Sequence, residues 1–349
     1  MVMDRIQALV LKDGARVVAL EQRIVEESRL LGVRIGLSYE FLSNPLAIRG
    51  PAGSSITLGA EDDAGELIGV ISARLETVRT RSGPRRSAYL HGLRVAPSAR
   101  GRGLGTELVR RMCDAARRTG AECCWGAVSA GNSRSASAGQ RAGFHLIGRV
   151  FITAAPLAWR FGPDPFGSNV REATPGDDAA IATLFDRFYA GLQLSPIDRS
   201  VPPSAIQPQP RTWRLLALDA SGRPRAALTL ASLKDAVRPR LSTRPAVLLG
   251  LAAPLGTLLG LPDPRRPLRV LAVTGLAWNV GEAHVGRALL EAARRQARVD
   301  HDLLMLAWDA AGPMAPLARR VRGLRSRTWI GADDLELVAA GLPCDLRLI

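Results

Sequence analysis

Arg100-Gly101-Arg102-Gly103-Leu104-Gly105 is the stretch on which the fold turns. An apolar run precedes it, Ala88-Tyr89-Leu90-His91-Gly92-Leu93-Arg94-Val95, and a helical pattern from Thr106 to Thr119 follows. Strand, glycine-rich turn and helix in that order leave backbone N–H groups aimed at an anion. The first N–H groups of a helix have no partner within it, and the helix dipole is positive there. Glycine allows positive φ and lets a phosphate approach the backbone. Arg100 and Arg102 add cationic charge, so the residues predict a phosphate-bearing ligand. No Gly-Lys-Ser/Thr follows, which excludes a nucleoside-triphosphate loop. The even spacing of Gly101, Gly103 and Gly105, with Thr106 next, departs from the dinucleotide pattern Gly-x-Gly-x-x-Gly.

The elements on either side complete a unit. In the helix after the loop, Leu104, Leu108, Val109, Met112 and Ala116 recur at helical spacing and give one apolar face. Upstream, residues 6–11 read as a first strand, and a helical pattern begins at Asp13. Residues 55–60 and 67–75 read as strands of a hairpin turning at Asp62-Asp63-Ala64-Gly65. Downstream come a strand at 123–128, a short helix at 133–142 and a last strand at 150–159. A linker-like stretch, Phe161-Gly162-Pro163-Asp164-Pro165-Phe166-Gly167-Ser168, separates this unit from a second.

The second unit repeats the order. Thr174 reads as a helix N-cap with Pro175 at the first helical position. Strands at 213–219 and 225–233 repeat the hairpin. Residues 268–278 and 303–308 read as strands flanking a helix marked by Val285, Leu289, Leu290 and Ala293. Laying the helix phases together puts Gly286 on Gly105, His284 on Gly103, Gly281 on Arg100 and Pro313 on Asn132. The scaffold persists in the second copy and the phosphate loop does not.

Composition sets bounds. The chain has 349 residues, long enough for two domains, and 47% are hydrophobic. Net charge is +15, nearly all of it arginine scattered without long basic runs, so nucleic acid is not expected as a partner. Cys113, Cys123, Cys124 and Cys344 suit neither a disulfide framework nor a zinc site, and no metal is expected. Residues 246–261 are apolar but short and broken by Pro254 and glycines, so no membrane span is read there. No secretory leader is read, and a cytoplasmic location is expected.

The loop resembles the acyl-CoA loop of the Gcn5-related N-acetyltransferases (GNAT), written Arg/Gln-x-x-Gly-x-Gly/Ala and matched by Arg100, Gly103 and Gly105. Asn132, Ala136 and Gly143-Phe144 resemble that family's Asn-to-Gly-Phe segment. The resemblance covers residues 5–160 and extends, in degenerate form, to the second unit. It implies two tandem α/β (α+β) domains, each a mixed, mostly antiparallel sheet flanked by helices, at 1–162 and 170–349 with a linker at 163–169. It further implies acetyl-CoA as acyl donor, held by Leu93, Val95, Arg100, Gly101, Arg102, Gly103, Leu104, Gly105, Thr106 and Asn132. The acceptor would be a small-molecule or peptide amine, and a homodimer is left open.

The chemistry implied is direct attack of an amine on the thioester, which needs a base, an acid for the thiolate and a donor to the carbonyl oxygen. The family's usual acid is a tyrosine in the helix before Gly-Phe, and that position here is Gly139. Tyr89 and His91 share a strand face, and His91 is the candidate base. Glu26, Glu27, Tyr39 and Glu40 lie in the segment that walls the acceptor site in the family. Two readings stand at this point: an active N-acetyltransferase with its site in the first domain, and a non-catalytic acyl-CoA-binding or regulatory protein that keeps the fold.

Overall fold

Period-two apolar runs broken by glycine turns build one long sheet, and period-3.6 segments cover it. The computed structural model describes residues 5–30, 37–48, 54–161, 169–192, 194, 211–241, 262–263 and 266–334. The first half comprises β1 (Arg5–Ala8), α1 (Gly14–Leu30), β2 (Leu37–Phe41), α2 (Pro45–Ile48), β3 (Ser55–Glu61), β4 (Leu67–Thr80), β5 (Gly83–Val95), α3 (Leu104–Arg118), β6 (Cys123–Ser129), α4 (Ser133–Arg141) and β7 (His145–Pro156). The second comprises β8 (Val170–Glu172), α5 (Asp178–Tyr189), β9 (Thr212–Leu218), β10 (Pro224–Ser232), β11 (Val237–Leu241), β12 (Val270–Trp278), α6 (Ala283–Ala297), β13 (Leu303–Trp308), α7 (Ala315–Ala318) and β14 (Leu324–Ala332).

Twelve strands join edge to edge in the order β1-β3-β4-β5-β6-β14-β7-β13-β12-β10-β9-β8. Read from either end, each half supplies the same succession. The parallel pairs are β5·β6 and β12·β13, each bridged by a helix, α3 or α6. Both expected sheets are therefore present, tandem and mostly antiparallel, but they are merged. The merger is an exchange. β14 pairs with β6 of the first half, and β7 pairs with β13 of the second. The strand expected to close the first half thus lies one place further out, because β14 fills the slot beside β6. A second link is a separate two-stranded ribbon in which β2 pairs with β11, Tyr39 opposite Pro239.

Boundaries differ in ways local chemistry explains. β1 ends at Ala8, because Asp13 accepts from the Val10 N–H (2.9 Å) and folds residues 11–13 into a 3-10 turn. Thr174 heads a 3-10 turn at Pro175–Asp177, where Asp177 accepts from the Thr174 N–H (2.8 Å). The 162–168 linker, the 246–261 apolar stretch and Cys344 lie outside the described residues.

The core of the first half sits on both faces of β4, whose residues 67–73 are all buried. Leu108 of α3 lies over Gly69, on one face. On the opposite face Tyr89 and Trp125 pack with Val78, Val150, Ile330 and Leu194. Leu194 reaches this cluster from the second half with φ 57°, a left-handed conformation costly for a leucine, and its N–H donates to the Arg79 carbonyl (2.8 Å).

Candidate active site

A bulge prepares the site. Opposite β4, Ser72 faces His91 and Val70 faces Arg94, so β5 carries one extra residue at Gly92-Leu93. Gly92 takes φ 64°, which the bulge requires and a branched residue would resist. β5 and β6 pair only from Ser87/Cys123 to Leu90/Gly126, although β5 continues to Val95 and β6 to Ser129. Beyond Leu90 the two strands part, leaving a cleft flanked by the backbone of residues 91–95.

The loop lies at the open end of this cleft. Gly101 (φ 83°) and Gly103 (φ 84°) are left-handed, and a Cβ at either would meet no protein atom within 4 Å. Gly103 caps α3, so the N–H groups of Leu104, Gly105 and Thr106 fall in the first turn, where no intrahelical acceptor exists. The side chains of Leu104 and Thr106 are buried, so these two residues can offer a ligand only their backbone. Gly105 packs under α4 and over β5: a Cβ there would lie 3.7 Å from Ala138, 3.9 Å from Val95 and 4.0 Å from Leu93.

Charge converges on the loop. The half-buried Arg100 donates from Nε to the Val95 carbonyl (3.0 Å), which ties its side chain to the end of β5. Desolvation, then repulsion from Arg134 and Arg94, holds its pKa below the ordinary arginine value. Arg94 is partly balanced by Glu21 (3.3 Å) and stacks over the Tyr39 ring (5.0 Å). Arg134 was not picked out in the sequence; its position two residues after a helix cap is the signal that could have found it. Asn132 Oδ1 accepts from the Ser135 N–H (3.2 Å) and caps α4, a structural task within the same wall.

His91 stands where β5 and β6 separate, half-buried, its ring stacked on Tyr89 (5.6 Å between centroids, 11° between planes). Burial pushes the Tyr89 phenol well above its ordinary range, so Tyr89 is core and not an acid. At Gly139 a Cβ would touch only Phe144, at 3.8 Å, so a side chain is missing there without steric cause. The acidic residues of the acceptor-side segment have partners of their own or face outward. Glu27 accepts from the Ser98 N–H (2.9 Å), Glu40 pairs with Arg240 (2.8 Å) and Glu26 points to solvent.

Among the described residues, Cys113, Cys124 and Asp333 bring potential metal-ligand atoms within 4.8 Å of one another. Asp333 already accepts from the Cys124 N–H and from Arg117. The hydrogen bond to Cys113, with burial, drives the Cys124 thiol far upward.

The equivalent place in the second half is filled. β12 and β13 pair from Val270/Leu303 to Ala272/Met305 and then part, with a bulge on β12 at Thr274. A Cβ at Gly286 would lie 2.5 Å from the Trp278 ring, and Trp278 packs edge-on against Phe188 (4.6 Å). Glu282 precedes α6 where an anion would dock, and Arg225 pairs with its carboxylate (Nη2–Oε1 2.5 Å).

Residues 31–144 match the acetyltransferase (GNAT) family model, a segment spanning β2 to α4 and including the loop. The first half is thus similar to a GNAT domain, and the whole chain has a tandem acetyltransferase-like fold. Saccharomyces cerevisiae N-myristoyltransferase with bound myristoyl-CoA superposes with TM-score 0.62 at 10% identity over 98% of this chain and 81% of that one. The Gcn5-related glucosamine N-acetyltransferase region of a fungal multi-domain β-N-acetylglucosaminidase gives 0.62 at 15%, over 95% of this chain and 38% of that one. A conserved Enterococcus faecalis protein of unknown function, a probable N-acyltransferase, gives 0.53 at 9%, over 97% and 74%. No curated protein sequence matches this chain. The fold is that of an acyltransferase, and no helix among the described residues is long and apolar enough to cross a membrane.

Proposed function

We propose that the chain is an N-acetyltransferase that uses acetyl-CoA, with donor and chemistry in the first half. The carrying observation is the cleft between β5 and β6 opening onto an unfilled glycine loop at the head of α3. The pyrophosphate would rest on the N–H groups of residues 103–106 beside Arg100. The pantetheine arm would enter the cleft, where a backbone N–H near Leu93 or Val95 could donate to the thioester oxygen as charge develops. The closed cluster around Tyr89 and Trp125 adjoins the cleft and favours a short acyl group.

In the reaction the amine nitrogen attacks the thioester carbon. A C–N bond forms, the C–S bond breaks, coenzyme A leaves as thiolate and the amine proton passes to a base. His91 is the nearest titrating candidate for that base. With no tyrosine at position 139, water or another group would protonate the thiolate. The acceptor is an amine of a small molecule or peptide. Glu27 and Glu40 are already engaged, which argues against selection of a polycation by a carboxylate wall.

The test is turnover: thiol release from acetyl-CoA with a panel of amines and peptide N-termini, beside binding of coenzyme A by calorimetry. Acetyl transfer establishes the reading. Tight coenzyme binding with no transfer to any amine would leave the non-catalytic binder in its place. Turnover only with longer acyl-CoAs would overturn the acetyl assignment.

A further inference from the structure

β14 lies in the middle of the sheet, yet one end of it has a free edge. β6 is its neighbour from Ala332/Trp125 to Thr328/Ser129, whereas β7 stays beside it as far as Leu324/Ala154. The Ala130 N–H donates to the Arg327 carbonyl (2.8 Å), and the chain then turns away, the Asn132 N–H donating to the Ser129 carbonyl (2.8 Å). In an extended strand the N–H and C=O of one residue point to the same side, and those of the residue two places along point there too. The Arg325 N–H and C=O therefore face the side that β6 has left, and among the described residues no group bonds to either. The next residue, Leu324, is 80% exposed. A strand edge in this state is a template for another chain.

The residues around this edge carry charge of one sign. Arg319-Arg320-Val321-Arg322-Gly323-Leu324-Arg325-Ser326-Arg327 holds five arginines and no acid, and all five are exposed. Arg149 is exposed as well, and it pairs with Trp329 on the face that Arg325 and Arg327 share. Among the described residues no carboxylate stands within ion-pair distance of any of these six. Arg325 Nη2 donates to the Arg319 carbonyl (2.7 Å), which fixes the side chain without cancelling its charge. Leu324 and Ser326 belong to the other face. A ligand for this place needs a backbone that both donates and accepts, negative charge at alternate positions on one face, and apolar surface on the other. A peptide strand supplies all three. A nucleic acid supplies the charge, but its phosphates offer neither a donor to the Arg325 carbonyl nor apolar surface for Leu324.

We propose that an extended acidic segment of a partner protein docks here as an added strand beside residues 324–327, its acidic side chains alternating with apolar ones. The inference is independent of the donor reading above. The probe is a short fluorescent peptide, capped at both ends and alternating Glu and Val, whose affinity for the full chain is read by anisotropy. Three companions separate the contributions. One is the same peptide with every backbone nitrogen methylated, which keeps the charge and removes the strand N–H groups. The second carries Lys for Glu, and the third is a single-stranded RNA oligomer of equal charge. The acidic peptide should bind and the Lys peptide should not, and methylation should weaken binding at least about tenfold. Arg327→Glu turns a favourable cross-strand pair into a repulsive one and should weaken binding about tenfold, with the melting temperature unchanged. Arg149→Glu gives the same reading if Arg327→Glu does not fold. Failure of the acidic peptide to bind would leave the arginines as guards of an exposed edge and overturns the proposal. Affinity that survives methylation also overturns it, because the surface would then be a charged patch and not a strand template. Tighter binding of the RNA would make it a nucleic-acid surface instead. Wild-type affinity in a folded Arg327→Glu protein would place the peptide elsewhere and overturn the proposal too.

Discussion

At the scale of single residues, two histidines sit in contrasting surroundings. His91 lies at the lip of the cleft, half-buried on a strand face with Tyr89, whose phenol is raised by burial and keeps its own proton. As base, His91→Ala should lower kcat by about 10² or more while the acetyl-CoA KM changes little. The acidic limb of the kcat/KM profile, near the ordinary imidazole range, should vanish with it. A variant that retains both kcat and limb would make His91 a packing residue. His301 is enclosed: Ser232 Oγ lies 2.8 Å from Nε2, and burial holds the imidazole below its ordinary pKa of 6.5. The sign follows. The unfolded chain binds the proton more readily than the folded one, so stability is full above pH 6.5 and falls as pH drops below it. Urea midpoints measured from pH 7.5 to 5 should decline for the wild type and decline less for His301→Gln; parallel curves would show that His301 is not the group.

At the scale of elements, the loop and its helix act as one device, and both were legible in the sequence. The spacing of Gly101, Gly103 and Gly105 before an apolar helical stripe needed only local rules. Gly103→Asp tests it. Asp tolerates the left-handed φ of 84° better than most residues, so the fold should hold, judged by circular dichroism. Its carboxylate would stand where the phosphate must, and acetyl-CoA affinity should fall by at least about tenfold. Unchanged affinity in a folded variant would remove the loop from the donor site. The ribbon β2·β11 was not legible, for a physical reason. Its partners Glu40 and Arg240 are 200 residues apart, and five-residue strands of mixed polarity give no pairing signal of their own.

At the scale of the whole molecule, the two halves share a plan, and the proposed function gives the donor site to one of them. The sequence made the repeat visible through helix phase, and His284 and Gly281 led to the expectation that the second loop holds no phosphate. The structure adds the packing of Trp278 against Gly286 and the Glu282–Arg225 pair just ahead of α6, both of which argue against a second coenzyme. Titration calorimetry should give one coenzyme per chain, and two equivalent sites would contradict that division. The exchange of β7 and β14 could not be read from periodicity, because each strand has an ordinary alternating pattern that suits either slot. It has a consequence for stability. An isolated fragment of residues 1–161 would lack β14, leaving the backbone edges of β6 and β7 unpaired and the Tyr89–Trp125 cluster without Ile330 and Leu194. It would also lose the buried pair Glu291–Arg294, which receives the Phe161 N–H (2.9 Å) and donates to the Leu157 carbonyl (3.2 Å) where the first half ends. In the intact chain, removing one partner of such a pair and leaving the other buried costs about 3–5 kcal/mol, a large part of the net stability of a domain. The expected outcome is that 1–161 alone aggregates or fails to melt cooperatively, and that co-expression with 169–349 recovers a soluble complex. In the intact chain, Glu291→Ala should lower the melting temperature by several degrees and leave coenzyme affinity unchanged. A 1–161 fragment that folds alone, melts cooperatively and binds coenzyme A as the full chain does would show that the exchanged strands are joined for assembly and not required for the fold.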